Sequence, residues 1–196
     1  SNHSSNRIYG STNTESLTNA SGHTIQGSGS LGLGLLAISN AGLIQANQAT
    51  ALVIVPNATG FTNSGTLRAT NSATLTLQNG TFTNTGGLIQ AQENSHVDIS
   101  AATITGGTLT SVGAGHFHLL NTPTLAGVAI SSGSNVELGN AHHANLTGTI
   151  QNSGTIKLLS EGNSTDLLIT STTATLGGGG NVTLSANANN RIYGSV

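Results

Sequence analysis

Phe61-Thr-Asn63-Ser-Gly65-Thr-Leu67 is echoed one unit later by Phe82-Thr-Asn84-Thr-Gly86-Gly-Leu88, with five of seven residues identical. Working outward, Ile38-Ser-Asn40-Ala-Gly42-Leu-Ile44 precedes the pair. Ile104-Thr-Gly106-Gly-Thr-Leu109 and Leu146-Thr-Gly148-Thr-Ile150 continue it downstream. Gly22, Gly42, Gly65, Gly86, Gly106, Gly127 and Gly148 mark a nearly even beat along the chain. A period near 21 is too short for a unit with its own core, so each unit must bury its apolar face against its neighbours, as in a solenoid.

The units read as strands. Apolar residues alternate with polar ones at Leu75-Thr-Leu77, Val97-Asp-Ile99, Val136-Glu-Leu138 and Val182-Thr-Leu184, the period of a half-buried strand. No segment sustains a helical apolar stripe. Three short strands fit in each unit, around Leu67, Leu75–Leu77 and Phe82 in the third full one. The predicted fold is all-β: a parallel β-helix, or β-solenoid, with coils of about 20–23 residues and three short strands per coil. Parallel crossovers are almost always right-handed, which predicts a right-handed coil. Asn40, Asn63 and Asn84 each precede their Gly by two residues. They are expected either to form a hydrogen-bonded ladder along the stack or to occupy turns that need positive φ.

A longer period encloses the shorter. Asn-Arg-Ile-Tyr-Gly-Ser occurs at Asn6–Ser11 and again, at a 184-residue offset, at Asn190–Ser195, and the two copies contain both Tyr of the chain. Residues 1–196 therefore read as a single β-helix segment, one period of a 184-residue repeat. It would hold about nine coils and rise roughly 40 Å at about 4.8 Å per coil. The second copy is expected to take, in the following unit, the place of the first. Both ends are then docking surfaces, with Arg7, Tyr9, Arg191 and Tyr193 as contact residues. The expected partners are neighbouring repeats of the same protein, end to end, either in tandem or as stacked subunits.

Composition narrows the function classes. Charged residues make up 5% of the chain and aromatic residues 3%, while Gly, Asn, Thr, Ser and Ala fill much of the rest. That mixture suits short strands and tight turns. Four Lys and Arg with a net charge of −2 leave no basic footprint for nucleic acid. No apolar run approaches the roughly 20 residues of a membrane span, so membrane insertion is not expected. The absence of Cys excludes disulfides and thiolate metal sites. The opening Ser-Asn-His is neither a basic leader nor an initiator Met, and reads as an internal or processed piece.

The pieces Asn63-Ser-Gly-Thr-Leu67, Asn84-Thr-Gly-Gly-Leu88 and Gln151-Asn-Ser-Gly-Thr-Ile156 resemble the repeats of large bacterial exoproteins. These are the filamentous-haemagglutinin-like adhesins and autotransporter passenger domains. The resemblance covers most of the chain at the level of repeat style. It implies a right-handed parallel β-helix, secretion to an extracellular or bacterial cell-surface location, and a role as stalk, fibre or adhesive surface.

No catalytic or cofactor-binding residue is assigned, and an enzyme is not expected. The six acids, Glu15, Glu93, Asp98, Glu137, Glu161 and Asp166, form no recognisable catalytic pair. Aligning Val97/Ile99 with Phe117/Leu119 and Val136/Leu138 predicts an outward column of Asp98, His118 and Glu137, beside a column of His96 and His116. Two His and carboxylates could hold zinc, with His142-His143 nearby in sequence. The favoured reading is a surface ladder in which His118 relieves repulsion between two carboxylates. A second alignment places Thr81, Thr83, Thr103, Thr105, Thr124 and Thr147 on one outward face. Such arrays resemble ice-binding β-solenoids, the main alternative to a structural fibre. A polysaccharide-active or carbohydrate-binding β-helix is a third reading, disfavoured by the scarcity of aromatic residues.

Overall fold

The computed structural model describes residues 2–194. Among them are 24 strands and no helix, and every strand pairing is parallel. Inward residues of successive coils stack in columns, giving an all-β parallel β-solenoid of about nine coils with about three strands per coil.

Three faces surround the core. Face A consists of Arg7–Tyr9, Gly29–Gly32, Leu52–Ile54, Thr74–Gln78, His96–Ser100, His116–Leu120, Asn135–Gly139, Thr155–Leu159 and Asn181–Leu184. Face B runs from Ser16–Asn19 through Ala37–Asn40, Phe61–Asn63, Thr81–Thr83 and Thr103–Thr105 to Thr124–Ala126. Face C runs from Thr24–Gly27 through Leu43–Ala46, Thr66–Ala69, Leu88–Ala91 and Thr108–Ser111 to Ala129–Ile130. Beyond these coils faces B and C fuse. His143–Asn152 and Thr165–Gly177 each run round the corner as one strand.

Alternation builds the core. On face A, Leu31, Ile54, Leu77, Ile99 and Leu119 stack in register, and on face C so do Ile44, Leu67, Ile89, Leu109 and Ile130. All are almost completely buried. On face B, Phe61 lies over Phe82 with ring centroids 5.3 Å apart, within the range of favourable aromatic pairs. Coil length varies, mostly in the turns and once through a bulge within a strand. On face A the step from one coil to the next is shortest from Phe117 to its partner Val136 and longest from Ile156 to Val182. Much of the excess in the last coil is a bulge: Leu146 pairs with Ile169, but Gly148 pairs with Ala174.

The repeated Gly do two separate jobs at the corner between faces B and C. Gly65 packs where an added Cβ would lie 2.6 Å from the Ala41 carbonyl carbon and closer still to the Gly42 carbonyl oxygen. Gly86, by contrast, needs its positive φ of 77° but faces open space. The marker spacing thus mixes a close-approach position with a turn position one residue earlier, and Gly87 is the packed residue of its coil. The Asn-Ser-Gly-Thr signal likewise marks corners rather than one place in the coil. Asn63-Ser-Gly-Thr joins face B to face C, whereas Asn152-Ser-Gly-Thr joins face C to face A.

Candidate functional site

Asn40, Asn63 and Asn84 point inward at the corner between faces B and C, each at most 1% exposed. Asn40 Nδ2 donates to Asn63 Oδ1 at 2.7 Å, and Asn63 Nδ2 donates to Asn84 Oδ1 at 2.7 Å. Asn19 Nδ2 extends the ladder below by donating to Asn40 Oδ1 at 2.7 Å. The remaining amide protons reach backbone carbonyls such as Gly65 and Thr66. His23 Nδ1 donates to Asn19 Oδ1 at 2.6 Å and closes the lower end. None of the four Asn has positive φ; that role falls to Asn13, Asn71, Asn79, Asn94 and Asn121. Asn19 escapes the sequence pattern because it stands three residues before its Gly instead of two. Among the described residues no buried side-chain nitrogen or oxygen lacks a partner.

The middle of face A carries the densest group of titratable side chains. Asp98 pairs in register with His118 and His118 with Glu137, while His96 pairs with His116. The three rings form one cluster, with centroids 5.4 Å apart for His96–His116, 5.1 Å for His96–His118 and 4.4 Å for His116–His118. His118 Nδ1 lies 2.9 Å from Asp98 Oδ1. Glu137 Oε1 accepts from Lys157 Nζ at 3.1 Å, so Lys157 as well as His118 stands beside the second carboxylate of the column. Burial pulls the His96 imidazole below its ordinary pKa, opposed by Asp98 and reinforced by His118 and His116. His142-His143 does not join this cluster. The coil turns between them and face A, and His143 Nδ1 lies 2.9 Å from Asp166 on face B.

The Thr side chains form two outward columns on face B. Thr81, Thr103 and Thr124 lead to Asn145, and Thr83, Thr105 and Ala126 lead to Thr147. The second column extends below through Thr62 and Ser39 to Thr18.

The two copies of Asn-Arg-Ile-Tyr-Gly lie on different faces. Arg7–Tyr9 edges face A and pairs with Gly29–Gly32. Asn190–Gly194 edges face B and pairs with Thr165–Ile169. Ser195, the last residue of the second copy, lies outside the described residues. Arg191 and Tyr193 are engaged within the chain. Arg191 Nε and Nη2 donate to the two carboxylate oxygens of Asp166, both at 2.7 Å, and Tyr193 Oη donates to Asp166 at 3.3 Å. Asp166 is 2% exposed. The Arg191 hydrogen bonds hold its carboxyl below the usual carboxylate range against the opposing effect of burial. At the other end Ile8 and Tyr9 are 45% and 53% exposed. Ile8 borders a recess of about 240 Å³ with Ile25, Leu31 and Leu52. Nearby, Ser11 and Thr12 hydroxyls hydrogen-bond Glu15 and hold its pKa at about 2.

No protein-family model, no curated protein and no solved structure matches this chain. The fold itself is compatible with β-helix repeat proteins.

Proposed function

We propose that this chain is a non-catalytic structural unit of a longer solenoid, the shaft of a secreted bacterial surface fibre or adhesin stalk. The observation that carries the reading is the unequal state of two identical segments. At the upper end Arg191-Ile-Tyr193 is added as a strand on face B and clamped by Asp166. At the lower end Arg7-Ile-Tyr9 forms a terminal edge with all three residues exposed. An Arg7 segment of a following period has the residues needed to occupy the Asp166 clamp, because it has the sequence of the segment already there. Large exposed apolar side chains support the same reading. Ile8 and Tyr9 lie in the first coil and Leu176, Leu184, Ile192 and Tyr193 in the last two, leaving Leu33 and Val112 between. A parallel edge that is not covered by a cap pairs readily with a further coil.

On this reading each period advances by a whole number of coils plus one face. Successive periods are turned by about a third of a turn and rise roughly 40 Å each at about 4.8 Å per coil. The test is a two-period chain joined at the 184-residue offset and examined by small-angle scattering and electron microscopy. A single rod about twice the height of one period supports the proposal. Two lobes on a flexible joint refute it.

A second reading draws on the register of face B, where two columns of Thr run in parallel over consecutive coils. It assigns the face to binding ice. Thermal hysteresis in the purified protein, abolished by Thr103→Lys, supports it; an unchanged freezing point removes it.

A further inference from the structure

We infer that face A carries a site for a divalent transition-metal ion of the zinc class, held by His116 Nε2, His118 Nε2 and the Glu137 carboxylate. The argument begins with protons. His118 Nδ1 lies 2.9 Å from Asp98 Oδ1, and His116 Nδ1 lies 3.0 Å from the Ala114 carbonyl oxygen. A carboxylate and a backbone carbonyl only accept hydrogen bonds, so both Nδ1 atoms carry hydrogen. In a neutral imidazole the other nitrogen is then a lone pair. The two Nε2 atoms lie 2.8 Å apart. Two lone pairs aimed at each other at that distance repel, and a positive centre between them turns the repulsion into attraction.

The surroundings fit a metal in three ways. First, one ligand atom from each of His116, His118 and Glu137 lies within 4.8 Å of the other two. Lys157 holds Glu137 Oε1, which leaves Oε2 for the ion. Second, Asp98 and the Ala114 carbonyl are the kind of outer partners that orient metal-bound imidazoles and raise their basicity. Third, the ligand set of two imidazoles and one carboxylate is one zinc accepts, with water in the fourth position of an outward-facing site. Tetrahedral zinc with nitrogens about 2.05 Å away separates them by about 3.3 Å, so the pair must open by about 0.5 Å. Both rings are outward and only partly buried, while the adjacent Phe117 and Leu119 are fully buried. The rings can therefore part without disturbing the core. The other converging set, His96, Asp98 and His118, is less suited, because Asp98 and His118 already satisfy each other and His96 Nε2 is engaged by Thr74 Oγ1 at 2.8 Å. His96 instead walls one side of the site.

The test is calorimetric titration of the full chain with Zn²⁺ alone in metal-free buffer near neutral pH. One saturable site is expected. His116→Ala and His118→Ala should each abolish it, and Asp98→Asn should weaken it about 10- to 100-fold through the outer partner alone. His142→Ala and His143→Ala should leave it unchanged. Circular dichroism of each variant checks that the solenoid is intact, and cobalt substitution should give the visible absorption of a tetrahedral site. If His118→Ala does not fold, the Asp98→Asn titration alone decides. No saturable binding by the wild type overturns the proposal and leaves a shared proton between the rings. Binding that survives His118→Ala, or that His143→Ala removes, overturns it as well.

Discussion

Asn63→Ala is the most informative single perturbation of the stack. The side chain accepts from Asn40 and donates to Asn84, both at 2.7 Å, with a further bond to the Gly65 carbonyl at 3.2 Å. Truncation removes two ladder bonds, each worth about 1 kcal/mol net. It also leaves Asn84 Oδ1 without its amide donor at a site of 0% exposure, which costs about 1–3 kcal/mol more. Asn40 Nδ2 keeps the Gly42 and Thr66 carbonyls at 3.3 Å and is not orphaned. The total is about 3–5 kcal/mol, on the order of 6–20 °C in melting temperature for a domain of this size. Asn84→Ala should cost less, because Asn63 Nδ2 retains the Gly65 carbonyl. Asn63→Asp should be worse than Ala, since it sets carboxylate oxygen against Asn84 Oδ1 and buries a charge. Thermal and urea melts followed by circular dichroism measure these differences, with outward Thr62→Ala as the control. If Asn63→Ala costs no more than Thr62→Ala, within about 0.5 kcal/mol, the ladder is not a structural element of the stack.

Gly65→Ala should destabilise by about 1–3 kcal/mol in the same melts, because its methyl meets the backbone of the coil below. Gly86→Ala, in open space at φ 77°, should cost only the roughly 1 kcal/mol of a left-handed backbone; equal losses at the two positions would contradict the two roles. Asp166 has a depressed pKa in the folded chain, so its contribution is complete above the ordinary value of 3.8 and is lost as pH falls through the folded value. The stability difference between wild type and Asp166→Asn should narrow as pH falls below about 4. A difference that widens below about pH 4 would reverse the assigned sign. Glu15 should titrate near pH 2 in a carboxyl-detected NMR series, and Thr12→Ala should move it towards its ordinary 4.5.

Most of the fold was legible because the pattern has two nested periods, one of two positions within a strand and one near 21 between coils. Aligning Val97 with Phe117 and Val136 alone puts Asp98, His118 and Glu137 in one column, and the register agrees. Less legible were features set by turns. Asn19 was hidden by one extra residue before its Gly, and His142-His143 looked close to the face A cluster only along the chain. The relation of the two Asn-Arg-Ile-Tyr-Gly copies was unreadable for a related reason. Coils differ in length, as the short step from Phe117 to Val136 and the long one from Ile156 to Val182 show. The 184-residue offset therefore does not specify a whole number of coils. Hydrogen-bond partners were the last level out of reach: Glu137 stands in register with both His118 and Lys157, and Lys157 donates to its Oε1.

The stacking of coils in this register is best tested by the distance between two spin labels at Thr18→Cys and Thr147→Cys in a chain with no other Cys. These positions stand in one outward column, linked through Ser39, Thr62, Thr83, Thr105 and Ala126. Six steps of about 4.8 Å predict one narrow distribution near about 29 Å. A broad distribution, or a mean displaced from that value by more than about one coil spacing of 4.8 Å, would contradict the account.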